Sequence, residues 1–192
     1  MRLAPVLAVL ALLLVSPALA QQAPEGRGPV VLVSPVLTVE QERLFGESAW
    51  GKRVSAEFRA SLAALEAENQ RIAEGLTAEE KALTERRTSM KPEDFRVEAD
   101  AFDARVTGIR RAQDAKSRDI SRAAEAERAA FYEAALPVMG AVMAQRGAVA
   151  ILERKAVFLA AEAIDVTDDL VARIDATLGA GPEAAPPAAT ED

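Results

Sequence analysis

From about residue 40 to residue 146 the chain is dominated by Ala, Glu, Arg and Leu, and only Pro92 and Pro137 interrupt it. A stretch this long with strong helix formers and so few breakers has one economical solution, a pair of long helices. Lys91-Pro92-Glu93-Asp94 divides them. Proline suits the first position of a helix, and acidic residues suit its positive end. The sequence therefore predicts one arm over about 40–88 and a second over about 93–146, with Gly75 and Pro137 as places where an arm could bend. Thr38 with Gln41 three residues later reads as a capping box that opens the first arm.

Apolar residues recur in both arms at alternating steps of three and four. In the first they are Phe58, Leu62, Leu65, Ile72, Leu76 and Leu83, with Asn69 in the series; in the second they are Phe95, Phe102, Val106, Ile109 and Ile120, with Gln113 and Lys116 in the series. This is the spacing of two helices packed along a seam. The polar and alanine positions make it a thin seam, which predicts flexible arms. Leu65, Ile72, Phe95, Phe102 and Ile109 are the candidate positions for shallow contact with another chain, and they serve equally well for packing one arm on the other.

Short apolar segments flank the arms. Residues 30–33 read as a strand ended by Ser34-Pro35, 148–152 as a second strand, 153–155 as a turn and 156–160 as a third strand. Thr167 caps a last helix over 167–178, whose inner face is Leu170, Val171, Ile174 and Leu178. The fold class expected is mainly α with a small β part: a long antiparallel helical hairpin on a small sheet. Three short strands leave edges exposed, so several copies should associate through them. The candidate residues for that association are Val31, Val33, Val149, Ile151, Val157 and Leu159.

The first 20 residues read as an export signal. Arg2 is followed by an apolar run over 3–15, and Ala18-Leu19-Ala20 provides the cleavage pattern. That run is too short to span a bilayer, which takes about 20 residues. Residues 21–29 then form a polar lead and 179–192 a Pro/Ala-rich acidic tail without the means to build a core. The expected location is the periplasm, with no transmembrane segment in the mature chain. Removing Arg2 from 23 basic residues leaves 22 against 30 acidic ones, a net charge of −8. That argues against a nucleic-acid partner. The chain has no cysteine and no histidine. It thus lacks a thiol to acylate, the usual general base and the commonest metal ligand.

Two motifs suggest chemistry and fail on inspection. Gly46 to Lys52 spells G-x-x-x-x-G-K, but Arg53 follows where Ser or Thr is needed, and the match lies in a helical stretch. Asp165, Asp168 and Asp169 lack the spacing of a calcium loop and suit the start of the last helix instead. No catalytic, cofactor or metal site is expected.

The C-terminal segment carries a resemblance. Leu136-Pro137-Val138 is followed by Gly147 to Leu152, then Val157-Phe158-Leu159, then Ile164 to Asp168; near the other end, Glu47 to Lys52 opens the first arm. This pattern, over about residues 30–178, resembles the Skp/OmpH family of periplasmic chaperones. The resemblance implies a homotrimer with a central barrel-like body and helical arms around a cavity. It implies binding of unfolded outer-membrane proteins without ATP or another cofactor. Unlike the basic members of that family, this chain is acidic, so no lipopolysaccharide site is carried over. The competing reading is a structural coiled-coil protein of the envelope with a fixed partner.

Overall fold

A computed structural model describes residues 35–182. The expected signal, the polar lead, the strand at 30–33 with Val31 and Val33, and residues 183–192 of the expected tail lie outside the described residues. In order, the chain forms β1 (Val36–Val39), α1 (Gln41–Glu47), α2 (Ala49–Arg86), α3 (Pro92–Arg146), β2 (Ala150–Glu153) and α4 (Thr167–Leu178).

Pro35 immediately precedes a strand. It has no N–H to contribute, but its carbonyl accepts from the Val149 N–H at 2.8 Å, and β1 follows at once. β1 pairs in parallel with β2, Val36 opposite Ala150 and Val39 opposite Glu153. On its other side the Thr38 carbonyl accepts from the Val166 N–H at 2.9 Å, and Thr38 bridges Asp165. Among the described residues the sheet is two parallel strands. Residues 156–160, expected as a strand, join no ladder: Arg154–Ala156 is a 3₁₀ turn, and Val157 to Ala160 runs on through a bend. Arg154 holds Asp165 at 2.7 Å, which steers the chain across to the far side of β1 instead of doubling it back along β2.

The long first arm is also corrected. Thr38 lies within β1, so it caps nothing, and a break at Ser48 separates α1 from α2. The Ser48 hydroxyl donates to the Phe45 carbonyl at 2.7 Å and accepts from the Gly51 N–H at 3.0 Å, ending one helix and capping the next. Gly51 is obligatory, because a Cβ there would sit 1.8 Å from the Phe45 carbonyl oxygen. The start of α1 is capped from far away in sequence. The Glu40 N–H donates to Thr167 Oγ1 at 2.9 Å and the Gln41 N–H to Glu153 Oε2 at 3.0 Å. Thr167 is thereby spent on α1; at the start of α4, Asp165 accepts from the Thr167 N–H at 2.9 Å.

With 38 and 55 residues, α2 and α3 extend about 57 and 82 Å at 1.5 Å per residue. Both run helical through Gly75 and Pro137. They pair along their length, with partner numbers rising on α3 as they fall on α2: Arg86 with Glu98, Glu79 with Arg105, Glu68 with Lys116 and Arg53 with Glu127. The first three pairs are exposed, and such pairs contribute about 1 kcal/mol or less each. Of the seam residues only Leu83 is buried.

The core gathers instead where α1, α4 and the sheet meet the ends of α2 and α3. Phe131 is fully buried at its centre, in edge-on contact with Phe45, Trp50 and Tyr132 at centroid distances of 5.1, 5.9 and 5.2 Å. Leu37, Leu44, Val142, Leu170 and Ile174 close around it. Burial of that kind, at about 25 cal/mol per Å² of apolar surface, is what holds this end together.

Candidate functional site

Among the described residues β2 has a ladder partner on one side only, so the backbone groups that face its outer edge are unmatched there. Exposed apolar side chains lie just before β2, within it and in the bend that follows it. Val149, just before the strand, is 77% exposed, Leu152 is 44% exposed, Phe158 is fully exposed and Leu159 is 87% exposed. A strand edge bordered by uncovered apolar side chains is unstable in water until another surface takes it up.

The structure sorts the residues expected to join copies. Val149 and Leu159 are exposed, whereas Ile151 is half-buried against the chain's own core and Val157 is half-buried. Sequence reasoning missed Phe158 and Leu152. It took 156–160 for a strand and chose alternate residues of it, which set Phe158 on the opposite face; in the bend that forms, Phe158 is the most exposed of them.

Charged side chains cross-link α1, α3, α4 and the turn after β2. Lys155 holds Glu42 at 2.6 Å, Arg43 holds Asp168 at 2.8 Å, and Asp169 accepts from Arg173 and Arg146 at 2.7 and 3.3 Å. The three carboxylates weighed as a calcium site are thus each committed to a different arginine. Among the described residues no group of carboxylates is arranged to hold a metal ion. The Gly46 to Lys52 segment straddles the α1–α2 break, and the Gly51 N–H that a phosphate would need is already held by Ser48.

Burial raises the pKa of Asp165, but hydrogen bonds from Thr167 and the Arg154 guanidinium outweigh it, and the carboxyl titrates below its ordinary range. Asp169 is likewise lowered, burial being outweighed by Arg173 and Arg146. A carboxyl lowered in the folded state stabilises the fold above its unfolded pKa, about 3.9. That contribution fades as pH falls through the lower folded value. The urea midpoint should therefore fall between pH 5 and pH 2, and Asp165→Asn should flatten that dependence. An Asn variant with the wild-type acid profile would show that the Asp165 pairing contributes nothing.

The five arm candidates, Leu65, Ile72, Phe95, Phe102 and Ile109, are all half-buried. Each shares its surface between the facing helix and solvent. Midway along the pair the seam is polar: Glu68 accepts from Gln113 Nε2 at 2.9 Å and Lys116 Nζ at 2.5 Å, while Gln113 Oε1 is buried without a partner. A gap of about 570 Å³ opens there, with Leu62, Leu65 and Asn69 on one wall and Gln113 and Ser117 on the other.

Comparison with known proteins agrees with this architecture. The model of a family described as outer membrane protein (OmpH-like) matches residues 35–174. A solved structure from Caulobacter crescentus CB15, named provisionally as an outer membrane chaperone (OmpH-like), superposes with a TM-score of 0.73 at 23% identity, covering 84% of this chain and 95% of that one. No curated protein matches the sequence.

Proposed function

Because the chain belongs to the OmpH-like family, we propose that it is a periplasmic holdase which binds unfolded outer-membrane proteins without ATP and keeps them from aggregating. In this reading the mature chain is a homotrimer. Its small bodies join through the β2 edge, and α2 with α3 forms an antiparallel hairpin arm that encloses the client with its counterparts. The observation that carries the reading is the set of uncovered apolar side chains around β2 in the chain, Val149, Leu152, Phe158 and Leu159. The arms support it: with Leu65, Ile72, Phe95, Phe102 and Ile109 only half-buried, they offer many weak apolar contacts spread along their length. Weak, distributed contact suits a protein that must accept many sequences and release them without fuel.

The test is dilution of a urea-unfolded outer-membrane β-barrel protein into buffer with the mature chain, followed by light scattering. Aggregation should be suppressed at near-stoichiometric ratios, equally with and without ATP. Apolar burial is insensitive to ionic strength, whereas exposed charges are screened over about 8–10 Å. Affinity should therefore change little between low and moderate salt. A steep loss with salt would place capture on basic groups such as Arg110 and Arg111. A chain that leaves aggregation untouched would be a scaffold with a fixed partner instead.

A further inference from the structure

After α4 the chain reverses sharply. Gly179 and Gly181 both take positive φ, +58° and +77°, conformations that side-chain-bearing residues rarely adopt. The Gly181 N–H donates to the Leu178 carbonyl at 3.0 Å. This turn carries the Ala180 carbonyl to 2.7 Å from Arg53 Nε near the start of α2. It also lays Gly181 flat on the indole of Trp50, so closely that a Cβ would sit 2.2 Å from a ring carbon.

Arg53 and Trp50 are at the same time the link between the two arms. Arg53 Nη2 donates to Glu127 of α3 at 2.6 Å, and Trp50 Nε1 donates to the same carboxylate oxygen at 2.8 Å. Arg53 Nη1 holds Glu57 one turn along α2 at 2.8 Å. One guanidinium thus ties together α2, α3 and the C-terminal turn. Apart from it, α2 is tied to α4 by the hydrogen bond from the Ala49 N–H to Asp175 Oδ1 at 2.8 Å.

We infer that Gly179–Gly181 is a C-terminal latch: it fastens the root of α2 to the end of α4, and its release loosens the arm without unfolding the body. The latch closes through one carbonyl on Arg53 and the outer face of Trp50, while the inner side of that ring and the rest of the body close through the fully buried cluster around Phe131. Opening free energies follow that difference, so the latch opens first. Since the seam beyond the root is only half-buried, the root governs how freely the arm moves. A contact made on the C-terminal residues would be transmitted to the arm through this turn. The inference stands independently of the holdase reading.

Trp50 is the single tryptophan of the chain and is 3% exposed, so its emission reports the latch directly. Full-length protein is compared with Gly181→Ala and with a chain ended after Gly179. In both variants Trp50 emission should move to longer wavelength and acrylamide quenching should rise. Amide exchange over residues 49–54 should accelerate roughly ten- to a hundredfold, the scale set by losing a hydrogen bond to a charged group. Exchange in β1 and β2 and the far-UV circular dichroism should stay as in the parent. The inference fails if the shortened chain keeps Trp50 as shielded, and residues 49–54 as protected, as the parent does. It also fails if β1 and β2 lose protection to the same degree, because the turn would then be part of the body. Loss of helical signal in Gly181→Ala would count against it as well; the shortened chain, which introduces no clash, carries the test on its own.

Discussion

Phe158→Asp should convert an assembled protein into a monomer while leaving its helical signal unchanged. In the single chain Phe158 touches nothing that a substitution could disturb, being fully exposed in the bend after Arg154–Ala156. Exposed positions of that kind ordinarily tolerate substitution within about 0.5 kcal/mol. In the proposed trimer the same ring is buried between copies. Losing it forfeits about 1.5–3 kcal/mol of apolar burial per chain, and a carboxylate left unpaired at the interface costs more. At about 1.4 kcal/mol per factor of ten, association should weaken by two or more orders of magnitude at each contact. The check is light scattering after size exclusion at micromolar concentration: three chains for the parent, one for the variant. Ile151→Asp is a poorer probe, because Ile151 already packs on the chain's own core and its loss would confuse unfolding with dissociation. A Phe158→Asp protein that elutes with the parent's mass would remove the exposed bend around Phe158 from the assembly.

Phe131→Ala should destabilise the body by about 3–5 kcal/mol, the range for emptying a fully buried aromatic site. Its ring meets three other aromatic rings between α1, α2 and α3, so few neighbours are free to collapse into the void. Phe102→Ala, half-buried on the arm, should cost much less, since its site is already open to water on one side. Urea unfolding followed by circular dichroism and by Trp50 emission separates the two variants. Equal losses would mean that the arm seam, and not the cluster at its root, holds the chain together. For client binding the order should reverse, with Phe131→Ala acting only through stability and Phe102→Ala weakening capture slightly.

Arms and body differ in how far local sequence determines them. Helix-forming composition and a three-and-four spacing are repeated over dozens of residues in α2 and α3, so each turn restates the same instruction. Pro92, with Glu93 and Asp94 behind it in the first turn of α3, is a start signal that needs no tertiary partner. Leu170 and Ile174 on α4 are fully buried, one helical turn apart, a pattern any amphipathic helix displays. The resemblance to the OmpH-like family was legible for a similar reason, in short apolar motifs at the ends of long polar helices.

The small elements were not legible, because their instructions are not local. A four-residue apolar segment is strand-like wherever it occurs, and only its partner selects it. β2 takes Val36–Val39, while Asp165 and Val166 occupy the other side of β1 and divert residues 156–160 from the sheet. Phe158 became a candidate only once that bend was seen. Thr38 and Thr167 have the side chains of helix caps, but one is spent inside a strand and the other caps a helix 127 residues earlier in the chain. The sequence by itself determined that this chain makes two long helices and a small apolar body. The tertiary structure alone decided which four residues pair, which side chains cap, and which apolar surface stays uncovered, since each of those depends on contacts between residues that no local pattern relates.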